Sequence, residues 1–332
     1  MDNVHVSMCS GGAYAAVHAG FWEQLDDTAI GRRFRHSVTS LSGSSAGALV
    51  GSAVAVGVPG RAVSRDIQRG GLTGRGKFLR ALAVYLKLPY FKQSMYSGDE
   101  SMRRMKRLCD NRSYSPVPMT VAVTTTDMVQ HCIRFAEPDD TRLVNAAVAS
   151  ASIPYVLPPR PVGGYGMCVD GSINRSSFPQ DTVVRIMREG SGTLVLLNCL
   201  PWPGFRESVP VARKALKLMG MKRLMTQYTE DLYDHAMERT LDFIIKPKFV
   251  YRDGMFELSI DNSSGEPIIS RNGNLNIIFV APTQKQFSDC GGVNMIAKLD
   301  YRAGNKSIFA MRACGMKLAR DFIDEYGEIR IY

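Results

Sequence analysis

The 332-residue chain carries 41 Lys and Arg against 31 Asp and Glu, a formal charge of +10, with 45% hydrophobic and 22% charged residues. These proportions are those of an ordinary globular protein and exclude a disordered tail, a collagen-like repeat and an obligate coiled coil. At about 100–200 residues per domain, the length accommodates one large domain or two small ones whose core needs no disulfide or metal staple. The positive excess points to an anionic partner, either nucleic acid or a membrane surface.

Short apolar runs alternate with helical patterns along the chain, the mark of an α/β fold with a mainly parallel central sheet. Val4–Met8 reads as a first strand, and the opening MDNVHVSMCSGG lacks the charged start and apolar run of a signal peptide. Ser10-Gly11-Gly12 follows, then a small-residue helix to about Leu25. Val38–Leu41 reads as a second strand, with a sharp Gly-Ser-Ser-Ala-Gly turn at 43–47 and a helix through Val56. The longest apolar stretch, Ala46–Val58, contains three glycines and falls short of the roughly 18–20 residues of a membrane span.

The stretch Gly57 to Ser97 differs in character, being Gly-rich, basic and interrupted at Pro59 and Pro89, and it marks an insertion over about 58–107. From Arg61 to Arg107 twelve Lys and Arg face only Asp66, Asp99 and Glu100, a net +9 that leaves +1 for everything else. The protein reads as a near-neutral body with one basic, cap-like insertion. Plotted as a helix, residues 77–88 place Lys77, Arg80 and Lys87 on one stripe, opposite Phe78, Leu79, Leu82, Tyr85 and Leu86. Such a helix either lies at an anionic bilayer or packs its apolar face on the core with its cations solvated. The segment contains no recognisable nucleic-acid motif, so no nucleic-acid partner is expected.

Further along, Thr120–Thr126 and Cys132–Phe135 read as a strand pair, Met167–Val169 as a short strand ending at Asp170-Gly171, and Thr193–Asn198 as another. Arg206–Arg239 is irregular and largely helical in pattern; Phe243–Val250 and Leu275–Val280 are β-rich, and Ser307–Tyr326 reads as a closing helix. No repeat or linker divides the chain, which is expected to form a single domain over 1–332 with a helical and strand extension over about 200–332. Seven scattered cysteines, an odd number without a CxxC pair, argue against a disulfide framework or zinc site and for a reducing, intracellular setting.

Gly43-Ser44-Ser45-Ala46-Gly47 matches G-x-S-x-G with Ser45 at its centre. The pattern makes chemical sense where a strand ends, turns sharply and enters a helix, so that the serine projects and the glycines relieve crowding. The residues on either side supply that setting, although two glycines in a tight strand–helix turn would serve without any chemistry. An attacking serine needs backbone donors for the developing oxyanion, and the turn at Ser10-Gly11-Gly12-Ala13 could aim its amides into one small volume. Nucleotide binding is the competing reading of these loops, but G-x-G-x-x-G and G-K-[ST] are both absent. Of the five histidines, the late His235 sits in a helical pattern as a solvated residue and His18 reads as a packing residue, so a His-based triad has little support. A carboxylate acting directly on the serine is simpler. Asp170, at the end of an apolar strand and followed by Gly171, is the candidate, against the plainer reading of an aspartate opening a turn.

The order Gly-rich turn, GSSAG, Asp-Gly resembles the patatin-like phospholipases. Cys9-Ser-Gly-Gly-Ala-Tyr-Ala-Ala-Val-His18-Ala-Gly20 is similar to the family's S-G-G-G-x-R-G-x-x-H-x-G. Ala149-Ser150 with Ile153-Pro154 resembles its A-S-x-x-x-P segment, and Val169-Asp170-Gly171-Ser-Ile-Asn174 with Pro179 resembles V-D-G-G-x-x-x-N-x-P. The strand Ile277–Pro282 and the final helix with Gly315 resemble the family's end. The chain departs from the pattern at Ser10 for the first glycine, Tyr14 for a common arginine and Ser172 for the second glycine after the aspartate. The resemblance implies a three-layer α/β/α fold with Ser45 as nucleophile, Asp170 as base, and the amides of Gly11, Gly12 and Ala13 as the oxyanion hole. It implies no metal or other cofactor. The reaction would be hydrolysis or transfer of a fatty acyl group from a phospholipid or other glycerolipid through an acyl-serine intermediate. An enzyme of this kind must find lipid, so the cations Lys77, Arg80 and Lys87 of the basic insertion are the candidates for peripheral contact with an anionic membrane; whether a protein activator is required, as in some relatives, the sequence leaves open. The contrasting expectation is a catalytically silent protein of this fold that binds lipid or a partner through its basic insertion.

Overall fold

The computed structural model describes residues 3–70, 98–125, 127–138, 140–153, 157–173, 178–200, 268–272, 274–290 and 306–330. The helix expected over 77–88 with Lys77, Arg80 and Lys87, the irregular region 206–239 with His235, and the strand expected over 243–250 lie outside the described residues.

Among the described residues nine strands form one sheet: β1 (Val4–Met8), β2 (Val38–Ser44), β3 (Met119–Thr125), β4 (Gln130–Phe135), β5 (Arg160–Val162), β6 (Gly166–Asp170), β7 (Ser191–Leu197), β8 (Ile268–Asn272) and β9 (Asn274–Val280). Their order is β5-β6-β3-β2-β1-β7-β9-β8, with β4 also paired to β3. The central run β3-β2-β1-β7-β9 is parallel throughout, while β4 and β6 join β3 antiparallel, β8 joins β9 antiparallel, and β5 pairs antiparallel with β6. Parallel strands need helical crossovers that cover both faces, which is why β7 reads as a nearly continuous apolar run, Thr-Leu-Val-Leu-Leu. This is the mixed α/β fold with a mainly parallel centre that the alternating pattern implies.

Helices connect and cover the sheet: α1 (Ala15–Asp27), α2 (Ala29–Ser37), α3 (Ala46–Ala55), α4 (Gly60–Gly70), α5 (Asp99–Cys109), α6 (Asp140–Ser150), α7 (Gln180–Glu189), α8 (Gln284–Asp289) and α9 (Lys306–Arg330). Every residue of α3, AGALVGSAVA, is buried, as expected of a helix that is apolar all round. The flanks of the basic segment are core helices. Val63 and Ile67 of α4 and Met105 and Leu108 of α5 join the same apolar cluster as the sheet. Several of their cations have acidic neighbours: Arg61 reaches Asp27 at 3.1 Å, Arg104 reaches Asp66 at 3.0 Å, and Arg103 reaches Glu100 at 2.9 Å.

The longest described helix, α9, lies along α1. A Cβ on Gly315 would come within 2.0 Å of the Val17 carbonyl oxygen, so only glycine lets the two backbones approach this closely. Arg312 makes two bonds across the seam to the buried Glu23 carboxylate, at 2.5 and 2.6 Å. Burial alone would push the Glu23 carboxyl up, but Arg312 and Arg61 contribute to an opposing pull that holds it below the usual carboxylate range. Among the described residues no helix is long and apolar enough to cross a membrane.

Candidate active site

β1 lies between β2 and β7, so the chain leaves it toward one side of the sheet and returns on the other. In an open α/β sheet such a switch point opens a crevice at the carboxyl ends of the strands, where ligands bind. The loop 9–14 leaves the carboxyl end of β1 and Ser45 follows the carboxyl end of β2, so two of the sequence-derived candidates stand at that crevice.

Ser45 has φ 51° and ψ −116°, a positive φ that a non-glycine residue rarely adopts. Strain of this kind costs about 1–3 kcal/mol and persists only where the surroundings enforce it. Three contacts do so here. The Ser45 N–H donates to Ser150 Oγ at 2.8 Å. The Gly47 N–H donates to the Cys9 carbonyl at 3.1 Å. A Cβ on Gly47 would lie 2.4 Å from the Met8 oxygen, so the start of α3 is pressed against the end of β1. Ser45 is the N-cap of α3, at the positive end of that helix.

Asp170 reaches the same point from the opposite direction. Residues 119–124 of β3 pair with β4 on one flank, which leaves the other flank for both β2 and β6. There Ala122 pairs with Ser44, and the next residue, Val123, pairs with Asp170. The last residue of β2 and the last residue of β6 thus meet end to end, one step apart along β3. The C-terminal turn of α6 holds both: Ser150 Oγ takes the Ser45 N–H, the Ser150 carbonyl takes the Gly171 N–H at 3.0 Å, and the Ser152 carbonyl takes the Asp170 N–H at 3.0 Å.

The Asp170 carboxylate is 2% exposed. Oδ1 accepts from the Ser172 N–H at 2.9 Å and from the Ser172 hydroxyl at 2.5 Å. Oδ2 has no hydrogen-bond partner of ordinary geometry. Burial raises the carboxyl above its ordinary value, and the Ser172 and Ser45 side chains and the Ser172 amide favour its charged form. The Ser45 hydroxyl is therefore near enough to stabilise the carboxylate without a fully formed bond to Oδ2. Pairs of this kind often tighten only around substrate.

The turn at 10–14 brings a second set of donors. Gly12–Tyr14 form a 3₁₀ turn that runs into α1, so the amides of Gly12 and Ala13 open a helical run and lack intrahelical acceptors. Gly11 sits so close to Cys199 that a Cβ would come within 2.1 Å of its sulfur. Tyr14, at the position where an arginine is common, is buried with its ring centroid 5.1 Å from that of Phe287.

Beneath this turn the structure gathers residues that the sequence reading left scattered. Cys9 Sγ, His18 Nε2 and Cys199 Sγ lie within 4.8 Å of one another, fully buried, the one grouping of metal-ligating type among the described residues. Each is already engaged. Cys9 Sγ donates toward Asn198 Oδ1 at 2.9 Å, Cys199 Sγ toward the Ser10 carbonyl at 3.4 Å, and His18 Nε2 toward the Cys9 carbonyl at 3.0 Å. Burial and the adjacent Cys9 sulfur push the Cys199 thiol well up, which keeps it a protonated donor. The grouping ties β1, α1 and the end of β7 into one knot under the turn. His18 has more than a packing role, because the Cys9 carbonyl it holds also accepts the Gly47 N–H behind Ser45. A histidine nine residues after a cysteine was the visible signal; the sulfur 190 positions away was not.

A family model described as patatin-like phospholipase matches residues 6–184, more than half of the 332. No curated protein matches the chain. Among solved structures, the chain is similar to VipD from Legionella pneumophila at 11% identity and a TM-score of 0.40, covering 98% of this chain and 67% of that one. It is similar to the type III effector protein ExoU at 14% identity and a TM-score of 0.28, covering 72% of this chain and 54% of that one. The matched span runs from β1 into α7 and contains the Gly-rich turn, the GSSAG turn and Asp170; the chain belongs to the patatin-like phospholipase family.

Proposed function

We propose that the chain is a lipid acyl hydrolase in which Ser45 is the nucleophile, Asp170 the base, and the amides of Gly11, Gly12 and Ala13 the oxyanion donors. The observation that carries this reading is the shared flank of β3, where Ser44 and Asp170 occupy successive positions and the unpartnered Oδ2 is buried at the foot of the strained Ser45 turn. As the Ser45 oxygen bonds to the ester carbonyl carbon, its proton passes to Asp170 and the carbonyl electrons move onto oxygen, toward the helix-opening amides. Collapse of that intermediate expels the alcohol half, which takes the proton from Asp170. Water then repeats the cycle on the acyl-serine, with Asp170 again the base. Burial suits the aspartate to this task, because a carboxyl raised above its ordinary value is a stronger base.

The substrate class is a glycerolipid presented at a membrane or aggregate surface. Exposed Met128 and Val129 at the β3–β4 turn and Tyr165 and Met167 at the β5–β6 hairpin support this approach, since both turns project past the carboxyl end of β3, on the Ser45 side of the sheet. The cations Lys77, Arg80 and Lys87 remain candidates for contact with an anionic surface; vesicle binding that weakens as salt rises would support them.

Purified protein supplied with a phospholipid and with a soluble fluorogenic acyl ester tests the chemistry. Ser45→Ala and Asp170→Asn are each expected to lower turnover by at least about a thousandfold while remaining folded. Equal slow hydrolysis by wild type and Ser45→Ala would leave the silent, lipid-binding alternative instead.

A further inference from the structure

The residue after Gly171 breaks the glycine pair of the family pattern, and its side chain points at the reacting carboxylate. Ser172 places two donors on one oxygen of Asp170, its N–H at 2.9 Å and its hydroxyl at 2.5 Å, both on Oδ1. A glycine at this position keeps the first bond and lacks the second. A carboxylate rotates about one bond, so fixing Oδ1 from two directions also fixes Oδ2. That second oxygen has no partner of its own, and the Ser45 side chain is the other hydroxyl that favours the charged carboxylate.

We propose that Ser172 is a positioning residue for the general base: its hydroxyl clamps Asp170 Oδ1 so that Oδ2 is held, ionised, as the acceptor for the Ser45 proton. This rests on the reading of Asp170 as the base. The chemical need is specific. Asp170 is almost completely buried, and burial favours its neutral form, which cannot accept a proton. Hydrogen bonds to the charged form oppose that tendency, and the Ser172 side chain is the foremost group that does so here. The groups that bear on the carboxylate are the Ser172 side chain and amide and the Ser45 hydroxyl, while Ser150 and Ser152 hold its backbone.

Removal of the hydroxyl destabilises the carboxylate form, so the Asp170 pKa rises and the ionised fraction falls at a given acidic pH. The test is the pH profile of kcat/KM on a soluble acyl ester, measured with the full chain for wild type, Ser172→Gly, Ser172→Ala and Ser172→Thr. The acid limb of the Gly and Ala variants is expected to move to higher pH by about one unit, a tenfold loss on the acid side, with KM little changed. Ser172→Thr, which keeps a hydroxyl, is expected to stay near wild type. Melting curves for each variant separate this shift from loss of fold, because unfolding lowers the whole profile without moving its limb. Acid limbs that coincide in all four proteins would overturn the clamp, and so would a Thr variant that shifts as far as Ala. An Asp170→Asn control with wild-type turnover would instead remove the base assignment itself, so the two failures are distinguishable.

Discussion

Asp170 gives up stability for its position. Its carboxyl is raised by burial, so the folded protein binds this proton more tightly than the unfolded chain. The linkage has a definite sign: the contribution to stability is fully present below the unfolded-state value of about 3.9 and is lost as pH rises through the higher folded value. Above that folded value the buried charge is therefore a burden. Asp170→Asn is expected to melt at a higher temperature than wild type at neutral pH while losing turnover, and the advantage should shrink toward acid. Scanning calorimetry at several pH values reads this directly, and an Asn variant that melts lower at every pH would contradict it. Ser45 shows the same economy in its backbone, where a positive φ is tolerated because Ser150, Gly47 and Cys9 surround it with fixed partners.

At the scale of elements, the end of α6 joins the two halves of the site. Ser150 offers its hydroxyl oxygen to the Ser45 amide and its carbonyl to the Gly171 amide. Ser150→Ala strands a buried N–H at the strained turn, at a cost of about 1–3 kcal/mol. The expected outcome is a kcat reduced by roughly tenfold or more with KM nearly unchanged, because the proposed nucleophile is displaced while the exposed turn residues Met128, Val129 and Tyr165 are not. A variant with a raised KM and an unaltered kcat would place Ser150 elsewhere in the mechanism. Much of this architecture was legible in the amino-acid pattern. Val4–Met8 is bounded as its alternation suggests, and GSSAG does separate a β-branched strand from a small-residue helix. The helix α2, AIGRRFRHS, went unread because only Gly31, Phe34 and Arg35 are buried in an otherwise charged stretch. The meeting of β2 and β6 on one flank of β3 went unread for a different reason. It depends on pairing between residues about 45 to 80 positions apart, which local periodicity does not encode.

Over the whole molecule, the charge that stood out in the sequence is partly answered by the fold. Arg61, Arg103 and Arg104 have carboxylate partners, and α4 and α5 send apolar side chains into the core, so the flanks of the basic segment are structural. The seam between α1 and α9 is the other long-range device. Arg312→Ala would leave the Glu23 carboxylate buried with Arg61 at 3.6 Å and the Ser64 side chain, and a loss of about 2–3 kcal/mol in denaturant unfolding is expected at neutral pH. Because the Glu23 carboxyl is held low, the wild-type advantage should persist above the ordinary carboxylate value and disappear as pH falls through the lower folded one. An unchanged unfolding midpoint would show the seam to be held by packing alone. That seam also orders events in time. The helix behind the Gly-rich turn leaves the ribosome roughly 280 residues before the helix that covers it. At about 5–20 residues per second, this is on the order of a quarter of a minute to a minute of synthesis. Throughout that interval the apolar face of α1 has no α9 to meet. The seam between the two helices is therefore closed only once α9 has emerged.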